Sequence, residues 1–116
     1  VNTQLKKGSL ELCVLCLLCG RDYYGFELVQ AIPREIDMSE GTAYPLLKRM
    51  QEGGLVTTYW AESTAGPPRK YYRITPEGRR SFAALSAQWR TFSAAIDGLL
   101  RQTEPTPIGQ EVLSHE

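Results

Sequence analysis

Near the C-terminal end, Phe82, Leu85, Trp89, Phe92, Ile96 and Leu99 recur at spacings of 3, 4, 3, 4 and 3. A repeat alternating three and four holds one apolar line on a single face of an α-helix for about five turns, and such a line is stable in water when another helix covers it. Thr75-Pro76-Glu77 opens the segment in the order that helix starts favour. Threonine can cap, proline has no amide to waste in the first turn, and the acid sits near the positive end of the helix dipole. The 116 residues make about one domain, with a limited core of its own. A second copy of the chain is therefore the expected cover for this seam.

Upstream the pattern breaks into short elements. Gly8-Ser9 reads as a helix start, and Leu10 to Cys19 is apolar on nearly every side, so that helix must be covered all round. Gly20-Arg21-Asp22 ends it. Within residues 23–32, Leu28 and Ile32 lie four apart with Phe26 and Val29 beside them, a short amphipathic helix stopped before Pro33. Residues 33–38 form a polar connection from which Ile36 and Met38 can turn inward.

Ser39 is an N-cap candidate for a helix over 40–52, with Leu46, Leu47 and Met50 as its inward stripe and Gly53-Gly54 as its stop. Pro45 inside it lacks the amide that would bond back to Gly41, which predicts a kink or a loose first turn. Residues 55–62 and 69–74 are rich in β-branched and aromatic residues and read as two strands joined by a turn over 63–68. Trp60 is expected to pack under this hairpin.

The expected fold is thus mainly α with a small β-hairpin. The order is helix, short helix, turn, helix, hairpin and long helix, which is a helix-turn-helix followed by a wing. Residues 5–75 form the winged helix-turn-helix domain, 76–102 a C-terminal dimerisation helix and 103–116 a flexible tail.

Thirteen basic residues balance thirteen acidic ones, so a uniformly basic nucleic-acid coat is excluded. The distribution is uneven, however. Residues 48–90 carry eight basic side chains against three acidic, while residues 1–47 and 91–116 are net acidic. A local cationic excess suits a protein that meets a polyanion on one face. In a helix-turn-helix the second helix enters the major groove of duplex DNA. On that reading Ser39, Thr42 and Tyr44 face bases or phosphates, Lys48 and Arg49 neutralise phosphate, and Arg69-Lys70 lie against a second stretch of backbone. Tyr24 and Tyr44 serve either as core aromatics or as phosphate-contacting hydroxyls.

Other chemistries find little support. The one histidine, His115, is second from the end, and no nucleophile has a paired base nearby, so an enzyme is not expected. Cys13, Cys16 and Cys19 recur every third residue. A helix turns such positions about 60° apart, spreading them rather than converging them on one ion. They read as small buried hydrophobes, with a cysteine-based metal or redox sensor as the alternative. No metal and no cofactor is expected. The longest apolar run, Leu12 to Cys19, is eight residues, too short to cross a bilayer, and no signal-peptide cleavage site follows it. A cytoplasmic protein with no membrane partner is expected. A winged helix used only for protein–protein contact is the rival reading.

Several runs resemble the PadR family of bacterial transcriptional regulators. They are Lys7-Gly8-Ser9-Leu10-Glu11-Leu12, Tyr24-Gly25-Phe26-Glu27-Leu28, Gly41-Thr42-Ala43-Tyr44-Pro45-Leu46-Leu47-Lys48-Arg49-Met50, Gly53-Gly54-Leu55-Val56 and Pro67-Pro68-Arg69-Lys70-Tyr71-Tyr72-Arg73-Ile74-Thr75-Pro76-Glu77-Gly78. The resemblance covers roughly residues 5 to 100. It implies a winged-helix homodimer joined by the C-terminal helix, usually a repressor released by a small effector, on a roughly palindromic operator. The single C-terminal helix is similar to that of the short subfamily. In multidrug-responsive short members a Trp on that helix sandwiches flat aromatic ligands with its symmetry mate. Trp89, with Phe92 one turn on, stands in the matching place, flanked here by Ser86 and Ser93.

Overall fold

The apolar segment near the start of the chain becomes a helix that supplies Leu10, Val14, Leu15 and Leu18 to the buried core. The structure, a computed structural model, describes residues 3–103: α1 (Thr3–Gly20), β1 (Tyr23–Tyr24), α2 (Gly25–Ala31), α3 (Glu40–Glu52), β2 (Val56–Ser63), β3 (Gly66–Ile74) and α4 (Pro76–Gln102). This is the expected winged helix with a helical majority. Helix α1 begins at Thr3 rather than at Gly8-Ser9. A glycine inside a helix costs only about 1 kcal/mol relative to alanine, which a long helix absorbs. The tail over 104–116, and His115 in it, lies outside the described residues.

Leu10, Val14, Leu15 and Leu18 of α1 are buried together with Leu28 of α2, Met38, and Ala43, Leu46, Leu47 and Met50 of α3. Val56, Tyr72 and Ile74 close the core from the sheet, and Ile36 packs against it from the 33–38 connection. Two compact units divide the chain, Val1–Leu85 and Ser86–Glu116. Phe82 and Leu85 at the start of α4 pack against the core of the first unit.

Helix α3 is continuous through Pro45, and the expected loosening of its first turn is absent. Ser39 Oγ accepts the Thr42 amide at 3.3 Å, and the amides of Thr42 and Ala43 reach the Ser39 carbonyl at 3.1 and 2.9 Å. The buried Ala43, Leu46, Leu47 and Met50 hold this helix against the core on either side of the proline. At the far end the Gly54 amide bonds to Gln51 O and the Leu55 amide to Met50 O, the paired closure of a Schellman turn. Gly54 has φ 77°, a conformation that glycine adopts without penalty.

The sheet has the order β1-β3-β2, all antiparallel. The sequence pattern predicts helix for the two residues of β1, within 23–32. In the structure Tyr23 and Tyr24 pair with Tyr72 and Tyr71, and helix α2 starts only at Gly25. The hairpin turn is also tighter than the 63–68 expected, since only Thr64 and Ala65 separate the strands. Pro67 and Pro68 lie inside β3, where the register slips between the Ala61–Arg69 and Ser63–Gly66 pairs. There β1 does not reach, so a missing amide breaks no second ladder.

Helix α4 starts as its sequence suggests, with Thr75 Oγ1 accepting the Gly78 amide at 2.9 Å. Thr75 also ties this start to the end of α3, its amide reaching Leu55 O at 3.0 Å and its hydroxyl Gly54 O at 2.6 Å. In the second unit Trp89, Phe92, Ile96 and Leu99 are all exposed, between 40% and 63%. Among the described residues no helix is long and apolar enough to cross a membrane.

Candidate functional site

Alternation along β3 sorts its side chains into two sets. Lys70, Tyr72 and Ile74 share the core-side face, on which Tyr72 and Ile74 are buried, and Arg69, Tyr71 and Arg73 share the other. The second set joins a continuous row of rings and charges. The Arg69 guanidinium sits 4.4 Å over the Tyr24 ring, Tyr24 meets Tyr71 edge-on at 5.7 Å, and Tyr71 stacks on Tyr59 at 5.5 Å. Arg73 lies 4.7 Å over Tyr59, and Asp22 closes the row by accepting from the Tyr59 hydroxyl at 2.6 Å and Arg73 Nε at 3.1 Å.

That hydrogen bond to Asp22, helped by burial, raises the Tyr59 pKa. Burial also raises Tyr44, with Glu40 adding to it, and raises Tyr72, with Tyr44 adding to it. A raised tyrosine stabilises the fold in full below its unfolded pKa of about 10, and the contribution is lost as pH rises through the folded value. Thermal melts are therefore expected to fall off in alkaline solution, and less steeply for Tyr59→Phe. Equal alkaline slopes for the two proteins would remove the Tyr59–Asp22 bond from the account.

Of the candidate residues, Thr42, Tyr44, Lys48 and Arg49 lie on α3 and Ser39 is its N-cap. All of these are exposed. Lys48 and Arg49 pair with no carboxylate among the described residues. The Tyr44 ring leans on Gly25, where a Cβ would come within 2.7 Å of it. Tyr24, Tyr44, Arg69 and Lys70 come together on one cleft of about 260 Å³, completed by Gly25, Phe26, Trp60 and Tyr72. Ser39, Thr42, Lys48 and Arg49 are not part of its lining. Neither is any carboxylate.

One cleft residue departs from expectation: Trp60 is 68% exposed rather than packed under the hairpin. Phe26, on α2, is 50% exposed. Trp60 stands opposite Lys70, toward the turn from the buried Val56–Ile74 pair, where the hairpin has outrun the core. A cation directly across the ladder was the available signal. Asp22 and β1 were missed as well, because their roles exist only through pairing with residues some fifty positions away.

In the second unit the rings of Trp89 and Phe92 lie 6.5 Å apart. Of the seam, Phe82 and Leu85 contribute instead to the core of the first unit. Cys13 and Cys19 are half-buried against that core, whereas Cys16 is exposed, unlike the buried role expected of all three. Burial, and then the neighbouring Cys16, push the Cys13 thiol up. No group of three histidine, cysteine or carboxylate side chains converges among the described residues.

Residues 14–84 match the Transcriptional regulator PadR-like family. A PadR-like transcriptional regulator from Bacillus cereus is 36% identical, with a TM-score of 0.77 over 84% of this chain and 97% of that one. Transcriptional regulator Rv3488 of Mycobacterium tuberculosis is 30% identical over 85% of this chain and 86% of its own. Bacillus subtilis PadR in complex with operator DNA shares the fold, at 20% identity and a TM-score of 0.59 over 65% of this chain and 45% of that one. With the family match spanning more than half its length, the chain belongs to the PadR-like family of transcriptional regulators.

Proposed function

We propose that this regulator is a cytoplasmic, sequence-specific repressor that binds duplex DNA as a homodimer and is released by a small effector. The observation that carries the reading is the cleft where Tyr44 of α3 meets Arg69 and Lys70 of the wing, with no acidic residue in its lining. An acid-free cationic surface beside an exposed helix face is what a phosphate backbone requires. In this reading Ser39, Thr42 and Tyr44 address the groove, Lys48 and Arg49 neutralise phosphates along α3, and Tyr24, Arg69 and Lys70 hold a second stretch of backbone.

Residues 5–75 then read the DNA, and 76–102 join two copies, with Trp89, Phe92, Ile96 and Leu99 as the exposed part of the seam. Two recognition helices about 34 Å apart, or a multiple of one DNA turn, call for a roughly palindromic operator. Trp89 and Phe92 are the residues that would meet a flat aromatic effector.

Selection of bound duplexes from a random pool tests binding and symmetry together, and should return a two-fold related motif. Lys48→Ala and Arg69→Ala should each weaken binding to every sequence and lower the slope of log affinity against log salt by about one. An unchanged slope removes that residue from the interface. Indifference to duplex DNA at low salt would overturn the reading in favour of a protein–protein module.

A further inference from the structure

Phe26 and Trp60 are two of the large apolar side chains that the structure leaves exposed, and both line the same cleft. A single exposed aromatic is ordinary surface, but two of them facing one cavity beside two cations form a shaped patch. Lys70 stands opposite Trp60 in the β2–β3 register, with its ammonium 5.8 Å from the Tyr72 ring, and Arg69 is held over Tyr24. The Tyr44 ring closes the α3 side against Gly25. The cleft thus pairs apolar walls with fixed positive charge.

We infer that Phe26 and Trp60 are contact residues for the deoxyribose of one DNA strand, whose phosphates are taken by Arg69 and Lys70. The repeating unit of a DNA backbone has these two parts, an anion and a largely apolar sugar face, and the cleft offers one surface to each. The charge match favours this occupant over a neutral apolar peptide. A sugar contact adds affinity without counting a phosphate, so it should leave the salt dependence unchanged. The inference rests on the DNA-binding reading, and its test separates the two.

The test uses a fluorescein-labelled mixed-sequence duplex two helical turns long, with binding read by anisotropy through a salt series. Trp60→Ala and Phe26→Ala should each bind about tenfold more weakly, the scale set by losing a few tens of Å² of apolar burial, with the salt slope of the wild type. Trp60→Phe should bind within about twofold of the wild type on the same area argument. Saturating unlabelled duplex should change tryptophan emission in the wild type, and that change should vanish in Trp60→Phe, which retains Trp89. This emission readout decides the matter even where an alanine variant fails to fold. Wild-type affinity in both alanine variants, a reduced salt slope, or an emission change that survives in Trp60→Phe would overturn the inference while leaving DNA binding in place. Emission that responds to adenosine monophosphate but not to duplex would also overturn it, assigning the cleft to a small ligand. A wild-type protein that leaves duplex anisotropy unmoved would bring down the DNA-binding reading itself, and this inference with it.

Discussion

Replacing Gly78 with alanine is expected to destabilise the winged-helix unit by about 3 kcal/mol, although alanine is the better helix former by about 1 kcal/mol. A Cβ at this position would clash with the Leu55 carbonyl oxygen and lie 2.7 Å from Ile74 Cγ1. The oxygen cannot simply move away. It accepts from the Thr75 amide at 3.0 Å, and Leu55 itself is fixed by the hydrogen bond its N–H donates to Met50 O at the end of α3. Ile74 belongs to the buried core, so the second contact is equally confined. Relief of the clash therefore means parting the start of α4 from the end of α3, which also breaks the Thr75 tie. Thermal or urea melts measure the effect, with a loss of 10 °C or more expected at roughly 4–8 °C per kcal/mol for a unit of this size. Gly98→Ala is the control, because the nearest atom to a Cβ there is the mobile Arg101 Nη2 at 3.8 Å. That variant should hold or raise stability. A Gly78→Ala protein that melts with the wild type would show the helix junction to be looser than its contacts imply.

The same junction separates what was legible in the sequence from what was not. Thr75-Pro76-Glu77 and Ser39 announce their helices because capping is local, a matter of a side chain and an amide three residues on. Gly53-Gly54 announces a stop for a similar reason. Nothing local marks Gly78, whose constraint comes from a carbonyl 23 positions earlier in the chain. Strand β1 is two residues long, and its identity lies in the partners Tyr71 and Tyr72 rather than in any period. Pro45 looked like a defect because its cost is local, whereas the packing that overrides it is not.

The candidate site divides along the same line. Tyr44, Lys48, Arg69 and Lys70 could be named from residue type and element order. That Arg69 rests on Tyr24, and that Phe26 and Trp60 border the same cleft, required the fold. The seam shows a further limit. A heptad line reports that a face needs covering and is silent on what covers it, so Phe82 and Leu85 look like Ile96 and Leu99 in sequence although they pack on their own unit's core.

That difference produces the second large effect. If the proposed homodimer forms through this seam, Ile96→Glu, on its exposed part, is expected to leave a monomer with its melting curve at high dilution little changed. Trp89, Phe92, Ile96 and Leu99 each leave 40% or more of their surface in water in the single chain. Burying that line against a second copy removes apolar surface from water, and a carboxylate placed in its middle would have to be desolvated with no cationic partner on the seam, which reverses the balance. Trp89→Ala should loosen the dimer by removing apolar area alone, while Phe82→Ala should lower stability independently of protein concentration. Sedimentation velocity across a dilution series distinguishes the three. The consequence for DNA is larger than that for assembly. Two linked half-site readers act at a mutual effective concentration of roughly millimolar, so separating them should weaken binding to a two-half-site operator by about 100-fold or more and leave a single half-site unaffected. A tight dimer after Ile96→Glu would place the contact elsewhere on the molecule. A monomer that still bound the full operator like the wild type would mean that each chain reads DNA alone, and the palindrome expected of the operator would lose its physical cause.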